Sequence, residues 1–323
     1  MSGFKRAAST ILAAVIAACA GGALAADPYP AKPVRILVAS GPGSGDDFAT
    51  RVLANELSTI LKQQFVVENR PGAGGVIGQT AVLKSPPDGY TLLLAGGSMA
   101  GARFVNAAVT YDVLKDFTPV SVIETSPFAL VASPTLAAKD LKEFIALAKS
   151  RPGKMSFGTI GPGQVPWWAV FLFNHMAAVD AVDVTYKDTA GAMTDVMTGR
   201  LDYFVAPLVG ALAAKDKLRV LAVTSADRSA MLPEVPTMAE AGLPGYDMPA
   251  WRSIMGPAGM PPEVVAILNK AIQQSLASPD LRERFAKAGS VPLGSTPEQL
   301  RKRYEHWMAI FGKIATDVGL KPQ

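Results

Sequence analysis

Short apolar, β-branched runs that break into glycine-rich turns, and then into apolar residues at helical spacing, set the strongest limit on how this chain folds. The first is Pro33-Val34-Arg35-Ile36-Leu37-Val38-Ala39, which runs into Ser40-Gly41-Pro42-Gly43-Ser44-Gly45-Asp46-Asp47. Phe48, Val52, Leu53, Leu57, Ile60 and Leu61 follow at helical spacing, with Asp46 or Asp47 as the expected N-cap. Further strands are expected at Phe65–Val67, Thr91–Ala95, Val120–Ile123, Phe128–Ala132, Met155–Gly158, Leu201–Val205 and Arg219–Thr224. A helix over 137–150 is stopped by Pro152-Gly153, and the chain from Pro262 onward reads as mostly helical. Alternation of this kind predicts an α/β fold with mainly parallel sheets flanked by helices. With 323 residues, of which 49% are hydrophobic and 18% charged, the chain has the material for substantial cores and is too apolar for disorder. A prior of about 150 residues per domain suggests two domains.

The N-terminus carries an address. Lys5 and Arg6 precede an uncharged stretch whose most apolar part is Ile11–Ala20, and Ala23-Leu24-Ala25 supplies small residues where a signal peptidase reads. Ile16-Ala17-Ala18-Cys19 also resembles a lipoprotein box, with Cys19 as the lipidated residue; the Ala23-x-Ala25 site favours complete removal. Loss of Lys5 and Arg6 lowers the formal charge of +4 by two, so the basic balance points neither to nucleic acid nor to a basic membrane surface. One Cys and two His give no Cys/His metal site and no disulfide framework.

Three turns at strand–helix junctions are candidates for a binding site. The Gly41–Asp47 turn has backbone N–H groups suited to an anion, without the Gly-Lys-Ser/Thr of a P-loop or the dinucleotide spacing; a tight turn that needs glycine dihedrals is the alternative. The second runs from Phe157 through Thr159, Gly161, Gly163 and Gln164 to Pro166, a residue suited to the first turn of a helix, and then Trp167-Trp168. The third is Ala95-Gly96-Gly97-Ser98. Three such turns fit a ligand cleft at the carboxyl ends of strands. Catalytic signals are thin. Gly96-Gly97-Ser98-Met99-Ala100 nearly matches a nucleophile elbow but ends in Ala100; His306 reads as solvated and His175 as packing.

Dispersed motifs then carry a family resemblance. They include Tyr29-Pro30-Ala31-Lys32-Pro33-Val34-Arg35, Glu68-Asn69-Arg70-Pro71-Gly72-Ala73-Gly74-Gly75, Asp88-Gly89-Tyr90-Thr91-Leu92-Leu93 and Leu232-Pro233-Glu234-Val235-Pro236-Thr237. Ala239-Glu240-Ala241-Gly242-Leu243-Pro244-Gly245-Tyr246 and Pro257-Ala258-Gly259-x-Pro261-Pro262 extend them towards the C-terminus. In this order the chain resembles the periplasmic solute-binding proteins of tripartite tricarboxylate transporters, the Bug or TctC family. The resemblance implies a two-lobed, type II-like periplasmic binding protein that closes on a small organic carboxylate and presents it to a membrane permease. It implies no enzymatic activity, no cofactor, no metal and no nucleic acid, and a monomer in the periplasm.

The same resemblance implies the site. Gly43, Ser44 and Gly45, with Asp47 after them, form the first ligand loop, facing Gly161, Gly163 and Gln164 of the second lobe. Ser98 and Thr159 are candidate hydroxyl donors, and Lys187 of the Tyr186-Lys187 pair stabilises the second loop or the anion. The Glu68–Gly75 stretch is expected to be structural, with Arg70 bracing neighbouring carbonyls. Departures from the family pattern are Trp167 and Phe171 in place of a His and a Glu, and Ala206-Pro207 in place of Asp-Asn. An aromatic acid stacks on Trp167 or Trp168 if these rings reach the cleft; otherwise they fill core. Asp46, in place of a Thr, is either an exposed cap or a partner for a ligand ammonium. The expected layout is a signal peptide over 1–25, lobe 1 over 26–126, lobe 2 over 127–227, a return to lobe 1 over 228–285, and helices over 286–323 running back across lobe 2. A secreted serine hydrolase using Ser98, and a ligand-binding partner of a membrane sensor, are the alternative functions.

Overall fold

The computed structural model describes residues 29–323. The stretch expected to be a signal peptide, with Lys5, Arg6 and Cys19, lies outside them. Strands β1 (Val34–Val38), β2 (Phe65–Asn69), β3 (Thr91–Gly96) and β4 (Phe117–Ser126) come first, then β5 (Phe128–Ala132), β6 (Met155–Thr159), β7 (Ala181–Thr185), β8 (Tyr203–Pro207) and β9 (Arg219–Val223). β10 (Ala250–Pro257) and β11 (Val291–Pro292) follow late in the chain. They form a six-stranded sheet in the order β11-β4-β10-β3-β1-β2 and a five-stranded sheet in the order β7-β6-β8-β5-β9.

The α/β class and the two sheets match the expectation, but each sheet is parallel in only one half. β1 pairs in parallel with β2 and β3, while β10 runs antiparallel to both β3 and β4. In the second sheet β6 is parallel to β7 and β8, and β5 lies antiparallel between β8 and β9. The cause is connectivity. Parallel neighbours need a crossover helix, whereas β5 enters directly from the other sheet with only Pro127 between it and β4, and β10 returns from β9.

The crossings are tied together. The Phe128 N–H donates to Thr224 Oγ1 at 3.0 Å, the Thr224 N–H to the Phe128 carbonyl at 3.0 Å, and the Thr125 hydroxyl to the Ala250 carbonyl at 3.1 Å. The last segment, expected to run back across lobe 2, first adds β11 to the edge of the six-stranded sheet. The Pro297–Asp317 helix then buries Leu300, Tyr304, Trp307, Phe311 and Ile314, an i, i+4, i+7 stripe, in a core shared by residues of both sheets. Its Phe311 stacks on Trp168 at 4.3 Å, and Trp251 meets Tyr304 and Trp307 edge-on.

Candidate functional site

β1, β3 and β6 end in glycine-bearing turns, and the three turns meet at one cleft of about 440 Å³. Ser40 and Asp46 line it after β1, Gly96–Met99 after β3, and Gln164–Pro166 after β6. The crossing strands add Phe128, Ala250, Trp251 and Arg252, and the 72–79 segment adds Gly72, Gly74, Gly75 and Gln79. The Glu68–Gly75 stretch thus borders the cleft through its glycines, and its Arg70 pairs with Glu68 at 2.6 Å instead of bracing carbonyls.

The turn after β1 is polar and internally braced. Ser44, not Asp46 or Asp47, is the N-cap of the Gly45–Leu61 helix; its hydroxyl accepts from the Asp47 N–H at 3.2 Å. Asp47 is buried, accepts the Gly43 N–H at 3.0 Å and pairs with Arg51 at 2.9 Å. Arg51 also donates to Asn69, whose amide reaches back to the Ser40 carbonyl. The Arg51 hydrogen bond and the Gly43 N–H hold the Asp47 carboxyl down to about 2 against the opposing effect of burial. Asp47 is thus a brace. The Ser44 N–H donates to the Gly41 carbonyl at 3.3 Å, so two of the three amides expected to grip a ligand are already satisfied. Gly45 lies in the first helical turn, where an N–H has no intrahelical partner, but none of Gly43, Ser44 and Gly45 is in the cleft lining.

The turn after β6 is bare. Gln164 caps the Val165–Ala177 helix with its backbone alone, and Pro166 brings no N–H. Gly161 and Gly163 adopt φ of 95° and 89°, which L side chains rarely reach, and a Cβ on Gly163 would sit 2.8 Å from Val105 Cγ2. Gly163 and Gln164 line a smaller cavity of about 320 Å³, which shares Gly74, Gln79, Ser98 and Met99 with the main cleft.

Several expected site residues lie elsewhere. The buried Thr159 hydroxyl donates to Asp183 at 2.8 Å and not into the cleft. Trp167 is buried against Phe171 at 4.2 Å, and Trp168 lies between Phe104 and Phe311; neither ring lines the cleft, because the helix turns that face into the shared core. Lys187 and Pro207 are exposed and outside the lining, and Ala206 is buried in the core of the second sheet. Ser98 does line the cleft, but no histidine does: among the described residues His306 is exposed, and His175 is exposed rather than packed, 3.3 Å from Asp317. Ser98 therefore lacks the base that a nucleophilic serine requires.

The strongest electrostatic feature is one that sequence reading missed. Arg252 donates through Nε to Asp46 Oδ1 at 2.6 Å and through Nη1 to Glu124 Oε1 in a short contact. Burial disfavours the Arg252 charge, yet Glu124 and Asp46 outweigh it and raise its pKa above the ordinary value. Neutral donors complete the lining. Tyr111 donates to Gln79 Oε1 at 2.7 Å, which leaves the amide nitrogen as the free end, 3.0 Å from where a Cβ on Gly75 would stand. The Trp251 indole N–H is buried and has no acceptor among the described residues.

Residues 49–320 match the family model described as the tripartite tricarboxylate transporter family receptor, TctC. The chain belongs to this family. It is 38% identical over 282 residues to protein BugT of Bordetella pertussis, covering 86% of each chain. R. palustris Rpa4515, solved with adipate, superposes with a TM-score of 0.74 at 31% identity, over 91% of this chain and all of that one. MatC of Rhodopseudomonas palustris, solved with bound malate, gives 0.71 at 29% identity, over 89% of this chain and all of that one. In this chain the cleft lies among turns that the sequence pointed to, but the charged pair beside it, Arg252 and Glu124, sits on β10 and β4. The available signal was an Arg following a Trp at the start of an otherwise apolar run, Ala250–Pro257.

Proposed function

We propose that this TctC-family protein is an extracytoplasmic receptor that captures a small organic carboxylate by closing two lobes on it. It then delivers the ligand to a membrane permease of the tripartite tricarboxylate type. It acts in the periplasm as a monomer, without catalysis, after removal of residues 1–25. Its lobes span 26–126 with 228–285, and 127–227, and the crossings near 126–127 and 227–228 serve as the hinge.

The observation that carries this reading is the cleft itself. It draws Ser98, Gln79 and Trp251 from one side of the fold and Gln164–Pro166 from the other, so that one small ligand touches both sheets' turns. Neutral donors and helix starts hold a carboxylate without an unpaired buried cation, and opening at the hinge lets water replace them on release. The bound adipate and malate of the two R. palustris proteins support this ligand class.

Thermal unfolding of the protein, expressed from its full sequence and shown by mass spectrometry to be ligand-free, tests the reading. The panel is dicarboxylates, tricarboxylates, aromatic acids and acidic amino acids. A ligand at a hundred times its Kd adds about 2.7 kcal/mol, a readily seen rise in Tm. No shift with any acid overturns the carboxylate reading.

A further inference from the structure

Arg252 is the only lysine or arginine in the cleft lining among the described residues, and it is paired with two carboxylates through Nε and Nη1. Glu124, 1% exposed, neutralises it from below, and Asp46 takes its Nε. Two carboxylates on one guanidinium leave the cluster one negative charge in excess. The excess is presented at Asp46, whose side chain is 44% exposed while Arg252 is only 20% exposed. Asp46 is also fixed in place. Its second oxygen accepts the Ser40 hydroxyl at 3.2 Å, and Gly45 packs so closely that a Cβ there would stand 2.9 Å from Arg252 Nη2.

The remaining polar groups of the cleft are neutral. Gln79 and Ser98 offer N–H and O–H donors, while the Trp251 indole N–H is buried beside Gly97 with no acceptor among the described residues. These groups suit a carboxylate. A second carboxylate would find no cation but Arg252, already outnumbered by Asp46 and Glu124, and would be repelled by Asp46.

We propose that Asp46 determines the specificity of the cleft and that the ligand is a zwitterion, a small acid bearing a protonated nitrogen. Asp46 receives the nitrogen, and the neutral donors receive the carboxylate. This rests on the carboxylate reading of the cleft given above. It differs in ligand charge from the plain dicarboxylic acids in the two related structures.

Isothermal titration of the wild type, Asp46→Asn and Asp46→Thr tests it against three series matched in length. These are the diacids from succinate to pimelate, the ω-amino acids from 4-aminobutyrate to 7-aminoheptanoate, and aspartate, glutamate and 2-aminoadipate. At least one amino acid should bind the wild type tenfold or more tighter than the plain diacid of its length. Both substitutions should collapse that ratio tenfold or reverse it. A general structural loss would weaken both classes and leave the ratio unchanged, so the ratio reports on Asp46 itself. Plain diacids bound as well as or better than their amino counterparts, or a ratio unmoved in the variants, overturn the proposal while the carboxylate function stands. Silence for all three series in every protein overturns the proposal, and the carboxylate reading falls with it only if the tricarboxylates and aromatic acids of the thermal panel are silent too.

Discussion

The turns after β1 and β6 open on the same cleft, and they are held by different forces. The first is a mesh of polar contacts. Ser44 caps the helix, Asp47 ties Gly43 to Arg51, and Asn69 reaches across from β2. The second has no side-chain cap, and its helix starts on backbone and Pro166 alone. What fixes it lies one turn further on, where Trp168 is buried between Phe104 and Phe311 and so close to Gly101 that a Cβ there would stand 2.7 Å from the indole. One wall is set by hydrogen bonds and charge, the other by its seat in an aromatic core. Similar glycine–helix signatures thus conceal two ways of holding a site still, one sensitive to pH and one sensitive to packing.

Loss of the aromatic seat should have the largest effect. Trp168→Ala removes a wholly buried indole and should destabilise the protein by about 3–5 kcal/mol, read from denaturant unfolding. A change under about 1 kcal/mol would mean that the second turn does not depend on this core.

Next come the glycines. Gly163→Val forces an L side chain into a left-handed conformation and against Val105, and should cost about 1–3 kcal/mol. Gly43→Val meets the same conformational penalty at φ of 79° but finds open space, so about 1–2 kcal/mol is expected. Equal midpoint shifts in urea would show that the Val105 contact relaxes freely and that the second turn is no more tightly seated than the first.

The caps separate the turns more finely. Ser44→Ala should cost about 1 kcal/mol, because the Asp47 N–H loses its acceptor. Gln164→Ala should stay within about 0.5 kcal/mol, because that side chain caps nothing. Comparable losses from the two substitutions would erase the distinction between the braced and the bare turn.

How far this was visible in the sequence follows the same division. β1, β3, β5 and β6 were legible because each is a short apolar run beside a turn, and the turns located the cleft. β7 was missed because it is an edge strand with Val182 and Val184 exposed, so it carries no buried pattern. β10 was missed because its neighbours are distant in sequence. Arg252 meets Glu124 and Asp46 across 128 and 206 residues, and no local spacing encodes that. The N-cap was misplaced by two or three residues because Ser, Asp and Asp all suit the role, and only the geometry of the first turn selects Ser44. Thr159 was expected to face the cleft, Trp167 to face either the cleft or the core, and Lys187 to support either the second loop or the anion; neighbouring side chains on a strand or helix point to different surfaces. Thr159 turns to Asp183, and Trp167 turns into the core.

The last contrast is read as a slope against pH. Asp47 has its folded pKa lowered, first by the Arg51 hydrogen bond and then by the Gly43 N–H, from 3.8 to about 2. The folded state therefore binds this proton less readily than the unfolded chain. Its contribution is fully present above the ordinary aspartate range and is lost as pH falls from there towards 2. Beside β6 the sign is reversed. Burial, only partly offset by the Thr159 hydroxyl, raises the pKa of Asp183, so its contribution is greatest in acid and is lost as pH rises through the raised value. Asp47→Asn should flatten the acid limb of the stability curve, and Asp183→Asn should raise stability most on the neutral side of that limb. Urea midpoints at closely spaced pH values would check both. Identical curves for Asp47→Asn and wild type below pH 4 would mean that the first turn is not held by its carboxylate, and the contrast between the two walls would then rest on packing alone.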